Sequence, residues 1–81
     1  MTNLELPPWS ETMRLQTREA IALLPVTPDR LIHFKHPALG YAYATLDDLM
    51  QERLLLHSKT SAEMYRFEAV DSLLQAGWVV D

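Results

Sequence analysis

Arg30-Leu31-Ile32-His33-Phe34-Lys35-His36-Pro37-Ala38-Leu39-Gly40-Tyr41-Ala42-Tyr43-Ala44-Thr45 is the stretch on which the fold turns. Ile32 and Phe34 alternate with His33 and Lys35, the period-two pattern of a half-buried strand. Tyr41 and Tyr43 repeat that period in Tyr41–Thr45, and His36-Pro37-Ala38-Leu39-Gly40 supplies turn chemistry between the two runs. The segment therefore predicts a β-hairpin. Thr27-Pro28-Asp29-Arg30 leads into it with Pro at the second position of a type I turn. A competing assignment makes Pro28 the first residue of a short helix over residues 28–36, capped by Thr27.

On the N-terminal side, Ser10 is placed to cap a helix over residues 11–24. Glu11 suits its first turn, and Trp9, Met13, Ala20, Ile21 and Leu24 fall on or near one side. Pro25 ends the helix, and Pro7-Pro8 closes an extended lead-in over residues 1–8. On the C-terminal side, Thr45-Leu46-Asp47-Asp48 resembles a capping box and opens a second helix, expected over 46–57. Thr60-Ser61-Ala62-Glu63 matches the box fully and opens a third, expected over 61–76, with Tyr65, Ala69, Leu73 and Ala76 along one side. Gly77 suits a left-handed helix end, Trp78 the apolar contact that accompanies a Schellman motif, and Trp78-Val79-Val80 a third strand. The expected order is α-β-β-α-α-β. This is a single small α+β domain over residues 1–81, a short antiparallel sheet packed against three helices.

The chain has 81 residues, 48% of them apolar and 22% charged, which is globular composition with room for one thin core. It has no cysteine, which excludes disulfides and thiolate metal sites and fits a reducing compartment. Neither a signal peptide nor a membrane-length apolar run is present in the sequence, so a cytoplasmic location is expected. The net charge of −4 is unevenly spread: all the excess acid lies in residues 46–81. That argues against nucleic acid as the main ligand, since phosphate binding draws on a basic patch. It suits a basic protein partner, or an ordinary solubilising surface.

No motif for catalysis stands out, and none is specific enough to assign a family. His33, His36 and His57, with Asp47 and Asp48, could form a metal or acid–base cluster. A spacing of three on a strand, however, sends His33 and His36 to opposite faces. There is no nucleophile elbow, HExxH or Gly-rich phosphate loop. No catalytic residue, metal site or cofactor is expected, and the protein is expected not to be an enzyme.

Docking residues are better candidates. Asp47, Asp48 and Glu52 make an acidic run continued by Glu63, Glu68 and Asp71, which is either a solvated face or a docking surface for a basic groove. Among the aromatics, Trp78 and Tyr65 are expected inside, and Tyr41 or Tyr43 on the outer face. Arg14 and Arg18 could bind a carboxylate or phosphate, although exposed helical arginines usually solubilise.

The leading expectation is a non-enzymatic protein-interaction module, an adaptor, assembly factor or inhibitor. It would dock through its acidic C-terminal half or its exposed hairpin. The alternative is a dimeric helix-turn-helix regulator on helices 46–57 and 61–76, with Lys59 and Arg66 near DNA. A metal-dependent hydrolase using the histidines comes third. The thin core and an uncovered strand edge favour a homodimer.

Overall fold

A computed structural model describes residues 9–81; the lead-in expected over residues 1–8 lies outside the described residues. Ser10 begins the first helix as expected, its hydroxyl accepting the Met13 amide at 3.2 Å, and α1 runs Glu11–Leu23. Leu24 turns left-handed with φ 48° just before Pro25, which cannot continue the helix.

The hairpin follows as β1 (Leu31–His36) and β2 (Gly40–Thr45), registered from Leu31 opposite Thr45 to His36 opposite Gly40. The helical alternative over residues 28–36 is thereby excluded. The Thr27–Arg30 turn closes with the Arg30 amide on the Thr27 carbonyl at 3.1 Å.

Downstream the structure corrects two helix lengths. The helix expected over 46–57 is only α2 (Leu46–Met50), capped by Thr45. The Arg53 amide returns to the Asp48 carbonyl at 2.8 Å and Glu52 takes φ 60°, so the chain reverses without Gly or Pro. Leu54–Ser58 then forms β3, because Leu54 and Leu56, two residues apart, both reach the core side of a strand, whereas on a helix they would point to opposite sides. The helix expected over 61–76 is likewise divided. The Ser58 and Ser61 hydroxyls accept nearby backbone amides in a turn, the use that competes with capping. Met64–Phe67 pairs with β3 as β4, and only Val70–Gln75 is helical, as α3. A helix-turn-helix on those two segments therefore lacks its helices.

Gly77 ends α3 as the sequence predicts, with φ 101°. The Trp78 amide reaches the Leu73 carbonyl and the Gly77 amide the Leu74 carbonyl, the paired bonds of a Schellman motif. Val79–Val80 forms β5.

The five strands are antiparallel in the order β4-β3-β2-β1-β5. Ile32, Phe34, Ala42, Ala44, Leu54 and Leu56 are all buried on one side of the sheet. They meet Leu46 and Leu49 of α2, Leu73 and Leu74 of α3, Trp78, and the α1 side chains Met13 and Ile21. Trp78 is 1% exposed, and Tyr65, half-buried, packs against it with ring centroids 5.4 Å apart. Each fully buried large side chain here is worth about 1.5–3 kcal/mol.

At one edge, α1 closes the sheet. Thr17, fully buried, accepts the Val80 amide at 2.8 Å and donates to the Met13 carbonyl at 2.8 Å. Trp9 adds a second tie, its indole N–H donating to the Gly77 carbonyl at 2.7 Å.

Two stability outcomes are expected in urea unfolding. Thr17→Val keeps the shape but strands the Val80 amide, costing about 1–3 kcal/mol, whereas Thr17→Ser stays closer to the parent. Gly77→Ala should cost more than Gly40→Ala, although both glycines have positive φ. A Cβ at Gly77 would stand 2.7 Å from His36 Nε2, while at Gly40 it meets nothing.

Candidate interaction surface

α2 and α3 pack on the core side of the sheet and α1 lies along its β5 edge, where Val79, fully buried, shares the side of Lys35; the outward side of β1–β4 is read residue by residue. In β2 the alternation is inverted with respect to size. Ala42 and Ala44 are fully buried, while Tyr41 is 51% exposed and Tyr43, two residues on, shares its outward direction. Both tyrosines thus stand on the outer face. One cross-strand row runs His33, Tyr43, His57 and Met64, with Tyr43 and His57 stacked at 5.0 Å. The rows beside it add Lys35 opposite Tyr41, and Arg66 opposite Leu55. Met64 is 59% exposed, and Leu39 in the hairpin turn 46%.

The charge on this face is one-sided. No outward position of β1–β4 carries a carboxylate, although the chain has more acids than bases. Carboxylates enter only at the border. Asp29 meets His33 Nε2 at 2.8 Å, and Asp81 follows β5, its amide on the His33 carbonyl. Lys35 also lies over the Trp9 ring at 5.1 Å.

The acids singled out in the sequence do not assemble into one surface. Asp47 pairs with Arg30 at 2.9 Å, and Asp48 with Arg53 at 2.9 Å. Glu63 lies at the β3–β4 turn, the opposite end of β4 from Glu68. Glu52 and Glu68 do meet, lining a cleft of about 270 Å³ with Ile21, Leu49, Leu54 and Val70. On α1, Arg18 is bound to Asp71 of α3.

The histidines have three separate occupations. His36 Nδ1 accepts the Ala38 and Leu39 amides, each at 3.0 Å, so its Nε2 carries the proton and donates to the Ala76 carbonyl at 2.7 Å. These bonds give the ring a structural role, joining the hairpin to the end of α3. His33 faces the other side of the sheet, as its spacing from His36 requires, and His57 lies against Tyr43. Among the described residues, no three His, Asp or Glu side chains converge as metal ligands would.

Leu55 and Met64 are not candidates in the sequence, which offers His57 only for a metal or acid–base cluster and Arg66 only for contact with DNA. The alternation of Tyr65 and Phe67 with Met64 and Arg66 carried the signal, but the helical spacing of Tyr65, Ala69 and Leu73 masked it.

No protein-family model, curated protein or solved structure matches the chain. No described helix is long and apolar enough to cross a membrane.

The Arg53 side chain, hydrogen-bonded to Asp48, holds that carboxyl below its ordinary value of 3.8; its burial opposes the shift and the Thr45 hydroxyl assists it. His33 does the same for Asp29, helped by the Leu31 amide. A carboxyl whose pKa is depressed on folding adds stability that is complete above its unfolded value and lost as pH falls through the folded one. Asp48→Asn should therefore lower the midpoint most at neutral pH and flatten the decline in stability below pH 3.8, so that variant and parent converge in acid, as read by urea midpoints across a pH series.

Proposed function

We propose that the protein is a non-enzymatic protein-interaction module, an adaptor, assembly factor or inhibitor, that docks through the outward face of its hairpin and the strands beside it. The observation that carries this is the inverted alternation of β2, which commits alanines to the core and tyrosines to the surface. Burying large apolar residues is the main source of stability in so small a domain, so a central strand that turns its aromatics outward serves something other than its own core. Tyrosine suits that purpose, because a rigid ring with a polar tip concentrates binding energy at low entropic cost. Asp47 and Asp48, by contrast, are already matched to arginines within the chain.

A basic partner docking on acids has support at one place, the cleft where Glu52 and Glu68 stand beside apolar side chains without a basic partner among the described residues. A second copy would add most naturally at β4, whose outer edge pairs with no strand among the described residues.

The test is affinity capture from the source cell with the parent protein, Tyr41→Ser/Tyr43→Ser, and Glu52→Lys/Glu68→Lys. The expected outcome is one stoichiometric protein, lost with the tyrosine pair and retained with the glutamate pair. Its loss with the glutamate pair alone would move docking to the cleft. Capture indifferent to both pairs would overturn the proposal. The tyrosine variant should unfold within about 1 kcal/mol of the parent, since neither ring belongs to the core.

A further inference from the structure

We infer that the segment received by this face is an acidic, extended stretch of polypeptide, a partner chemistry opposite to the one that net charge suggests; this rests on the docking face proposed above. The outward positions of β1–β4 include two permanent cations, Lys35 and Arg66, and two histidines, with no carboxylate among them. A chain of net charge −4 has thus kept its acids off its one aromatic face. Between the cations lie Tyr43, stacked on His57, and the exposed Tyr41 and Met64. Carboxylates at the two ends of a segment and apolar side chains in its middle are what this arrangement complements.

The spacing is set by the sheet. Lys35 and Arg66 lie on strands β1 and β4, three strand spacings apart, and in rows on either side of the His33–Tyr43–His57–Met64 row. At about 4.8 Å between strands and about 3.3 Å per residue along them, the diagonal is roughly 20 Å, the span of about six extended residues. Acidic residues about six positions apart therefore reach both cations.

Two other occupants fit less well. A second copy placed face to face would present the same cations and no outward carboxylate, so Lys35 and Arg66 would find no acid on its strands. A nucleic acid strand would find ring faces for stacking, but two fixed cations on a net-negative domain release few counterions.

The experiment titrates isotope-labelled full chain with synthetic peptides of about eight residues, long enough to span the diagonal. One peptide has Glu near each end and Leu and Val between; the others replace both Glu by Gln or by Lys. A single-stranded oligouridylate is titrated in parallel. The expected result is binding of the Glu peptide with amide shifts centred on Tyr43, His57 and Arg66. It should be about fivefold tighter than the Gln peptide, as two exposed ion pairs would give, weakened by salt and reduced to the Gln level in Lys35→Gln/Arg66→Gln.

Equal binding of Glu and Gln peptides at this face would overturn the acidic assignment while leaving the docking face standing. Preference for the Lys peptide, or no binding of the Glu peptide, would also overturn it. Oligouridylate binding there in place of the peptides would remove both the acidic partner and the protein-docking reading. A stable dimer whose protected amides map to Tyr41–Thr45 would give the face to a second copy and overturn the inference.

Discussion

The hydroxyl of Thr17 holds together parts of the chain that are far apart in sequence. β5 has only two residues and pairs with β1 on one side, so the Val80 amide faces away from the sheet and needs an acceptor that no sixth strand supplies. Thr17 is that acceptor, and its own proton goes to the Met13 carbonyl one turn back along α1. This single buried hydroxyl satisfies an edge amide and fixes α1 against the edge. With the β5 edge closed, α1 is positioned to bring Met13 and Ile21 to the side that α2 and α3 also cover. The Trp9 indole on the Gly77 carbonyl makes a second connection of this kind just ahead of the N-cap of α1.

With α2 and α3 on that side and α1 at the β5 edge, alternation decides what the other side of β2–β4 shows. Strand positions cannot be chosen independently, because a residue and its neighbour point opposite ways. The core side of β2 received alanines, and the outward side received tyrosines. The charges follow a similar division. Carboxylates gather in turns, helix starts and connections, where Asp47 and Asp48 complement the first turn of α2 and bind arginines, while the outward strand positions keep cations. The net charge of the sequence therefore describes the perimeter of the molecule and not its exposed sheet face.

The hairpin was legible because alternation, turn residues and aromatic content agree over residues 30–45. The end of α3 was legible because a Gly followed by Trp has few other uses after a helical stripe. Leu54-Leu55-Leu56 was not, since leucine favours helix in isolation and three in a row fit either period. Pairing with strands on both sides outweighed that preference. Thr60-Ser61-Ala62-Glu63 misleads for a different reason: short hydroxyl side chains that cap helices also close turns, and the choice depends on whether the following residues find a strand to join. Both misreadings lengthened helices, and so both concealed the strands that carry His57, Met64 and Arg66 to the outward face of the sheet.

The outward tyrosines are not an accident of a core too thin to hold them. Ala42 and Ala44 are fully buried in the middle of the core cluster, so the layer above β2 is filled to alanine size and a tyrosine there would force α2 away from the sheet. An Ala-to-polar exchange would not serve either, because those positions are closed to solvent. The outward positions, in contrast, accept polar residues at no packing cost, as Thr45 in the same strand and Arg66 in β4 demonstrate. Two tyrosines, a half-buried leucine and an exposed methionine at positions free to be polar leave apolar surface in contact with water beside two cations. Folding alone does not call for that combination, and an interface with an apolar centre and charged margins does.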